Sequence, residues 1–379
     1  MDNLTHSLIG LSASKAGLER LSPGTTTLCI LAANAPDADI VALAGGRWSY
    51  LHHHRGITHS IAGTVVMAVA LPLVFFLLDL LIARLRKRPP KVRLGGLLIA
   101  SFLVSATHPL MDWTNNYGMR FLLPWDTRWS YGDLIFIIDP IIWVVLGGSA
   151  FLLTSRTKLQ GLVWLVIAGA ATFLVLFGAR GPAALPNPTP LRIFWMIALI
   201  LIVVLFKTEV ASRWGARTSL AALAIICLYV GLLFGIHSIA LKRAQAEASN
   251  IANANVERAL KIAAMPTLAN PLRWLAIIET DRATYRFNLD LLAGDQSRSN
   301  LVRFEKPTGN QATALAQAAH DPRSEVFLEF ARFPVVNVVG EDCLTQTLVQ
   351  FADLRYTEPG RGRGTFSLEV PVECPVQNR

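Results

Sequence analysis

Long runs of apolar residues are the feature that most restricts how this chain can fold. The clearest run extends from Ile61 to Ala83 and is long enough to cross the hydrocarbon core of a bilayer as a helix. The further runs are Leu94–Ala106, Leu134–Leu153, Leu159–Phe177, Leu191–Phe206 and Leu220–Ala240. Since only 16% of the residues are charged and the mean hydropathy is +0.43, the sequence is typical of a polytopic membrane protein.

The basic residues predict how these spans are oriented. They concentrate in three short loops, around Arg84–Arg93, Arg156–Lys158 and Lys207–Arg217, which alternation of the spans puts on one side of the membrane. Lys/Arg-rich loops stay in the cytoplasm, so the opposite ends of the helices are predicted to be extracytoplasmic. The net charge of +9 therefore reflects membrane orientation, and no nucleic-acid partner is expected. No cleavable signal peptide is expected either, because no basic region opens the chain.

The first two segments of the chain differ from the spans that follow. Asn3–Gly17 is predicted to be a short helix, and Thr25–Ala44 is an apolar segment that Pro36 interrupts. Asp37 and Asp39 would then lie on an irregular turn. Two carboxylates near the end of a membrane segment are costly unless they are paired, hydrated or bound to a metal.

The composition changes from about Lys242 onward. Residues 242–264 are predicted to form a linker helix, and residues 265–379 a soluble extracytoplasmic α+β domain. Its predicted strands are Leu272–Thr280, Thr284–Leu292, Val326–Ala331, Val335–Val339, Thr345–Asp353 and Thr365–Val370. An outer location would allow Cys343 and Cys374 to form a disulfide. The predicted fold is therefore an all-α polytopic membrane helical bundle over residues 1–241 with a C-terminal soluble α+β domain.

A histidine cluster, His52-His53-His54-Arg55-Gly56-Ile57-Thr58-His59-Ser60, directly precedes the clearest membrane span. His108 and Asp112 follow another span and, being four residues apart, share one face of a helix. The predicted topology brings both stretches, together with His6, Asp37 and Asp39, to the same outer face. Imidazole and carboxylate ligands together suit Zn, Mn or Fe better than Ca.

These residues predict a metal site with adjacent catalytic groups. The predicted metal ligands are His6, Asp39, His54, His59, His108 and Asp112, and the predicted catalytic residues are Asp37, Asp39 and Arg55. His52 or His53 is an alternative to His54, because three adjacent histidines cannot all point inward. The structural alternative is an interfacial histidine run with helix-capping aspartates.

Three further residues have competing interpretations. Arg55 is expected either to bind a phosphate oxygen or to anchor the chain at the lipid headgroups. Thr58 is predicted to be the N-cap of the following helix rather than a catalytic residue. Asp139, which precedes Pro140, is predicted to cap a later helix rather than to bind the metal.

Four motifs carry a resemblance to a known family. They are His6, Pro36-Asp37-Ala38-Asp39, His54-Arg55-Gly56-Ile57-Thr58-His59-Ser60 and His108-Pro109-Leu110-Met111-Asp112. Over about residues 1 to 180 the sequence resembles the YdjM/YbcI-like family of bacterial inner-membrane proteins, which are regarded as metal-dependent hydrolases through distant similarity to zinc-dependent phospholipase C and P1-type nucleases. The resemblance implies a multi-pass inner membrane protein that binds a divalent metal. Zinc is the expected metal, and Mn and Fe are the alternatives.

The residues and the resemblance lead to one preferred function and two others. The preferred function is a membrane-bound metal-dependent hydrolase of a phosphoester in a lipid or lipid-linked substrate, since a metal activates water and polarises a phosphoryl oxygen. The alternative is a non-catalytic metal-binding membrane sensor or scaffold protein. A transporter is less favoured, because the helices beyond Leu134 carry almost no polar residues.

Overall fold

The computed structural model describes residues 1–178, 187–293, 298–340, 347–361 and 364–372. The chain forms two compact units. The first unit is Met1–Asp39, Arg55–Gly235 and Pro266–Asn270, and the second is Ile40–His54, Ile236–Met265 and Pro271–Arg379. The predicted Cys343–Cys374 disulfide lies outside the described residues.

Helices make up most of the described part of the first unit and extend into the second. They are α1 (Asn3–Lys15), α2 (Thr25–Asn34), α3 (Gly46–His53), α4 (Ile61–Leu85), α5 (Leu94–Ser105), α6 (Thr107–Trp113), α7 (Pro140–Thr154), α8 (Lys158–Phe173), α9 (Thr189–Lys207), α10 (Val210–Trp214) and α11 (Ala216–Asn255). Within the described residues, six helical stretches are long and apolar enough to cross a membrane, namely Thr25–His53, Ile61–Leu85, Leu94–Trp113, Lys158–Phe177, Thr189–Lys207 and Ala216–Asn255. The predicted polytopic helical architecture is confirmed.

Local side-chain chemistry explains where several helices begin and end. As predicted, α2 ends just before Pro36, which has no backbone N–H to continue it, and the chain continues as a 3-10 helix over Ala35–Gly45. Asp139 caps α7 as predicted, since its carboxylate accepts the backbone N–H groups of the second and third residues of that helix. The predicted cap of α4 is wrong: Ser60, not Thr58, accepts the N–H of Gly63.

Close packing in the first unit fixes the helices that carry the histidine and aspartate motifs. A Cβ atom on Gly10 of α1 would lie 2.5 Å from the carbonyl oxygen of Cys29 in α2, so the glycine permits this close approach. Small side chains of α2 and α5, including Ala33 and Ala100, are fully buried in the same cluster. Small residues allow membrane helices to approach closely, so α1, α2 and α5 form one packed group.

Asp79 is a buried carboxylate within a membrane span, which normally suggests a functional site. Here it orders the basic loop that follows α4. Its oxygens accept the Arg88 side chain at 2.6 Å and the backbone N–H groups of Lys91 and Val92 at 2.6 and 2.8 Å. The contacts of Asp79 therefore give it a structural role.

The second unit contains two antiparallel sheets, as expected for an α+β domain. The first sheet has the order β1 (Ala259–Thr267), β2 (Asn270–Thr280), β3 (Ala283–Asp290) and β4 (Arg298–Glu305); the second has the order β5 (Pro334–Val339), β6 (Thr347–Asp353) and β7 (Ser367–Val372). Between them the chain forms α12 (Gly309–Ala319) and α13 (Pro322–Phe330).

The predicted strand at Val326–Ala331 is wrong, because these residues belong largely to α13. Asp321 caps this helix by accepting the N–H of Arg323, and Pro322 occupies the first turn. Phe327 and Phe330, three positions apart, are both buried, as expected for one face of a helix.

The boundary at the predicted linker also differs from the sequence prediction. α11 continues through residue 242 without a break, and the chain begins β1 at Ala259, within the predicted linker range of 242–264. Buried alanines such as Ala244 and Ala248 continue the apolar face of α11 against Trp274 and Phe287 of the first sheet. The polar residues near 242 lower the hydropathy but leave the helix intact.

Candidate metal site

Four side chains of the first unit place potential metal ligands close together. Asp37 lies on the 3-10 helix after α2, His59 on the 3-10 turn before α4, and His108 and Asp112 on α6. One ligand atom from each lies within 4.8 Å of every other. His59 and His108 are fully buried and Asp112 is 1% exposed, whereas the Asp37 side chain is 18% exposed. A metal held here would have its solvent-facing side at Asp37.

The four donor atoms are arranged around a common centre. The Nε2 atoms of His59 and His108 are 3.1 Å apart. Asp37 Oδ1 lies 3.4 Å from the first and 3.6 Å from the second, and Asp112 Oδ2 lies 3.4 and 3.5 Å from them. Each of the two Nε2 atoms therefore lies 3.4–3.6 Å from two carboxylate oxygens, one from Asp37 and one from Asp112.

Hydrogen bonds on the far sides of the two imidazoles assign their tautomers. His108 Nδ1 lies 2.6 Å from the carbonyl oxygen of Ala33, which can only accept, so the proton is on Nδ1. His59 Nδ1 lies 3.3 Å from Asp39 Oδ2, which likewise favours a proton on Nδ1. Both Nε2 atoms then carry lone pairs that face each other. A cation between them removes this repulsion, and the donor set fits a divalent metal.

Asp39 supports His59 from behind. Its Oδ2 accepts the backbone N–H of Arg55 at 3.0 Å and the hydroxyl of Thr58 at 3.3 Å, while it faces His59 Nδ1. Carboxylates in this position orient a histidine ligand and raise its basicity. Thr58, which does not cap α4, contributes to this support through its contacts with Asp39 and His59.

Asp112 receives several partners besides the two histidines. Its Oδ1 contacts His6 Nε2 at 3.2 Å and the N-terminal ammonium group of Met1, and its Oδ2 lies 3.1 Å from Arg55 Nε. The His6 ring also stacks on His108, with ring centroids 3.8 Å apart. His6 thus lies beside the carboxylate oxygen that is turned away from the two Nε2 atoms.

Arg55 is directed into the protein interior. It is only 2% exposed, its Nη1 donates to Asn115 Oδ1 at 2.9 Å, and its guanidinium lies 4.7 Å from the centre of the Tyr117 ring. This burial does not fit an anchor at the lipid headgroups. It fits a group that fixes Asp112 and balances the charge of the carboxylates.

Sequence reasoning missed two side chains that support the site. Asn115, three residues after Asp112, holds Arg55, and Asn3, three residues before His6, donates to Asp37 Oδ2 at 3.0 Å. The only sequence feature that could have identified these two asparagines is that each lies three residues from a predicted ligand. The contribution of the Ala33 carbonyl has no side-chain signal, because any residue supplies that group.

The adjacent histidines make their described contacts within the second unit. His52 Nδ1 lies 3.3 Å from Glu329 Oε2, His53 Nδ1 lies 2.8 Å from the carbonyl oxygen of Ser49, and the His54 ring stacks on Tyr50. The ligand role predicted for His54 stays a prediction.

Comparison with known proteins agrees with the membrane assignment. Residues 1–182 match the model of the YdjM inner membrane protein family, which confirms the predicted resemblance over this part of the chain. Over 154 residues the chain is 25% identical to Uncharacterized protein YfhP of Bacillus subtilis (strain 168), a match covering 38% of this chain and 43% of that relative. No solved structure matches the chain. The family match and the apolar helices support a multi-pass inner membrane protein.

Proposed function

We propose that the protein is a metal-dependent hydrolase that cleaves a phosphoester in a lipid or lipid-linked substrate, with Zn²⁺ as its metal. The observation that carries this proposal is the spacing of the donor atoms of His59, His108 and Asp112. Ligands about 2.0–2.2 Å from a tetrahedral zinc ion lie about 3.3–3.6 Å from one another. The separations among His59 Nε2, His108 Nε2 and Asp112 Oδ2 are 3.1, 3.4 and 3.5 Å, so these three donors already have nearly the spacing that zinc requires.

The difference in exposure among the ligands suggests different roles. Catalytic zinc sites use three protein ligands and keep one position for water or substrate. In the proposal His59, His108 and Asp112 are the three permanent ligands. Asp37, the most exposed of the four, borders the open position and serves as the general base.

The remaining residues prepare these groups for reaction. A bound divalent metal would activate water and polarise the phosphoryl oxygen. Asp37 takes the proton from the attacking water, and Asn3 holds the other oxygen of that carboxylate in place. Asp39 and the Ala33 carbonyl fix the His59 and His108 rings, while Arg55 fixes Asp112.

The position of the ligands along the helices supports a lipid substrate. His59 is two residues before the membrane span α4, and His108 lies in the helical stretch Leu94–Trp113 beyond α5. The basic loop Arg84–Arg93 joins the other ends of these two spans. By the positive-inside rule, the site would face outside the cytoplasm, at the level where lipid phosphates lie.

The first test is the metal content and turnover of the purified protein in detergent. We expect about one equivalent of zinc, lost in His108→Ala and retained in His320→Ala, a control that removes an exposed histidine from the C-terminal domain. Zinc-dependent release of phosphate or a phosphorylated headgroup from phospholipids or polyprenyl phosphates would then identify the substrate. Wild-type protein without bound metal would refute the proposal.

One observation favours the alternative of a non-catalytic metal-binding sensor or scaffold. All four donors come from the protein, and structural zinc sites are closed in this way. Asp37→Asn separates the two functions. As a base, Asp37 can be replaced with zinc retained and turnover reduced by about 10²–10⁴-fold. As a structural ligand, its replacement would release zinc, and the wild type would turn over none of the lipids.

A further inference from the structure

The loop that joins α4 to α5, called here the basic loop (Arg84–Arg93), presents a dense positive charge. Its basic residues are Arg84, Arg86, Lys87, Arg88, Lys91 and Arg93, and it contains no acidic residue. All six are exposed except Arg88, which is partly buried. Within the part of the chain that the structure describes, Arg88 is the only one of the six that forms an ion pair, with Asp79. Most of this charge is therefore available to a partner outside the protein.

Contacts within the first unit hold the basic loop in a defined conformation. Asp79 orders its middle through the three hydrogen bonds described above. At the end of the loop, the backbone N–H of Arg93 donates to Ser22 Oγ at 2.8 Å, and its guanidinium donates to the carbonyl oxygen of Arg20 at 2.9 Å. Membrane orientation depends on how many Lys and Arg residues a loop contains, and it does not require such order. The contacts therefore point to a further role for the basic loop.

Lys87 has a backbone conformation that glycine usually adopts. It follows the end of α4 with a φ of 48°. The N–H of Lys87 donates to the carbonyl oxygen of Arg84 at 3.3 Å, and the N–H of Arg88 donates to that of Ala83 at 3.0 Å. These two bonds form a Schellman motif, in which glycine is favoured at the left-handed position. A lysine at this strained position is consistent with a function for its charge.

Exposed leucines lie beside the charged residues. Leu81 and Leu85, four positions apart near the end of α4, are 54% and 74% exposed, and this spacing puts them on one face of the helix. The basic loop connects two stretches that are long and apolar enough to cross a membrane. Its charges are therefore expected at the depth of the lipid headgroups, and the two leucines at the depth of the acyl chains.

We propose that the basic loop, ordered by Asp79, binds the phosphate groups of anionic phospholipids, with Lys87 and Lys91 as phosphate contacts and Leu81 and Leu85 beside the acyl chains. Ammonium and guanidinium groups form charge-assisted hydrogen bonds with phosphate oxygens. Clusters of Lys and Arg directly beside a membrane span are typical of such binding. The basic loop follows α4 whereas the metal site precedes it, so this inference does not depend on the proposed hydrolase.

The test measures lipid binding to the full-length protein in neutral detergent by native mass spectrometry. The probes are phosphatidylglycerol and phosphatidylcholine with the same acyl chains. Each basic side chain near an anionic surface contributes about fivefold to affinity, so Lys87→Gln/Lys91→Gln should bind phosphatidylglycerol about 25-fold more weakly. Its affinity for phosphatidylcholine should not change. Arg156→Gln/Lys158→Gln removes two exposed basic residues from another loop, and this control should bind both lipids like the wild type.

Asp79→Asn separates an ordered site from a general attraction between opposite charges. The substitution makes the protein more positive, so a general attraction predicts equal or tighter binding of phosphatidylglycerol. The proposed site predicts weaker binding despite the added charge. The reason is that the basic loop loses the carboxylate that holds Arg88 and the backbone of Lys91. Thermal unfolding of each variant in the same detergent shows whether it is folded.

The outcomes decide the proposal in three ways. Equal affinity of the wild type and folded Lys87→Gln/Lys91→Gln for phosphatidylglycerol overturns it, and so does an equal loss in the control variant. Unchanged or tighter binding in Asp79→Asn also overturns it. Inorganic phosphate and glycerol phosphate are added as competitors. If either binds as tightly as phosphatidylglycerol, the acyl chains contribute nothing and the assignment to a lipid is wrong.

Discussion

Replacing Asp39 by asparagine tests how the site uses its second carboxylate. The structure places Asp39 behind His59, where its Oδ2 lies within 3.3 Å of the backbone nitrogen of Arg55, the hydroxyl of Thr58 and His59 Nδ1. The asparagine oxygen can still accept hydrogen bonds, but the negative charge that makes His59 a stronger ligand is lost.

The expected effect of Asp39→Asn is about a tenfold loss of zinc affinity, which corresponds to about 1.4 kcal/mol of binding free energy. Asp39→Ala removes the acceptor altogether and leaves Thr58 Oγ1, 3.0 Å away, as the neighbour of His59 Nδ1. The expected loss then approaches the upper end of the range for such residues, about a hundredfold. Direct ligands, by contrast, should be far more costly to remove.

The assay is zinc competition with a chromophoric chelator, and cobalt substitution adds a spectroscopic readout. Replacement of a direct ligand changes the intensity and position of the cobalt absorption bands, whereas loss of a supporting residue should preserve them. Asp126→Asn is the matched control, because Asp126 interacts with Arg128 in a loop of the same unit. Unaltered zinc affinity in both Asp39 variants would refute the supporting role. Complete loss of metal, or an altered spectrum of the cobalt that remains bound, would instead make Asp39 a ligand, as the sequence predicted.

Three further substitutions test the scaffold. A Cβ atom on Gly63 would overlap the carbonyl oxygen of Ile57, so Gly63→Ala should destabilise the protein by about 1–3 kcal/mol in thermal unfolding, whereas Gly169→Ala, with no atom within 4 Å of its Cβ, should not. Asp353→Ala leaves the fully buried Arg355 without its carboxylate at 2.7 Å and should cost about 3–5 kcal/mol, measured by urea unfolding of the C-terminal domain in the full-length protein; a loss below 1 kcal/mol would contradict the role of the pair. The Arg323 side chain holds the pKa of Asp321 below its usual value, so the capping of α13 is complete above about pH 4 and is lost as the pH falls further. The protection of α13 amides from hydrogen exchange, corrected for the intrinsic pH dependence of exchange, should therefore fall below pH 4 in the wild type but not in Asp321→Asn.

The sequence predicted five of the membrane spans well because bilayer thickness imposes a length and an apolar composition that few other structures share. The span predicted at Leu134–Leu153 is wrong in extent, because the helix there is the shorter Pro140–Thr154. The sequence also identified His59, His108, Asp112 and Asp37, which the structure brings together. Their separate stretches meet because successive spans return to the same end of the helical group. Topology alone is enough to predict this proximity.

Sequence could not specify the orientation of neighbouring side chains. Asp37 and Asp39 are two residues apart on a 3-10 helix, where each residue turns by about 120°, so their carboxylates point in different directions. One faces both imidazole Nε2 atoms, and the other faces His59 Nδ1. The sequence shows only that the two aspartates are separated by one residue, so it does not show which carboxylate faces the Nε2 atoms and which faces His59 Nδ1.

In the C-terminal domain the sequence contained a helix-start signal, but we gave more weight to the alternation of apolar residues that follows it. Val326, Leu328 and Phe330 alternate with other residues as in a strand, but Asp321-Pro322 is a typical helix start. The segment is helical, as the N-cap at Asp321 indicates. The continuation of α11 past residue 242 has a different cause, since charged residues end an apolar run without ending a helix.

The dispersed origin of the ligands also determines when the site can exist during synthesis of the chain. Asp37 and His59 are synthesised before α4, whereas His108 and Asp112 are synthesised after both α4 and α5. A nascent chain shorter than this carries Asp37 and His59 but lacks His108 and Asp112, so the proposed set of donor atoms is incomplete. In the proposed function, metal binding therefore follows synthesis and insertion of the 94–113 helical stretch.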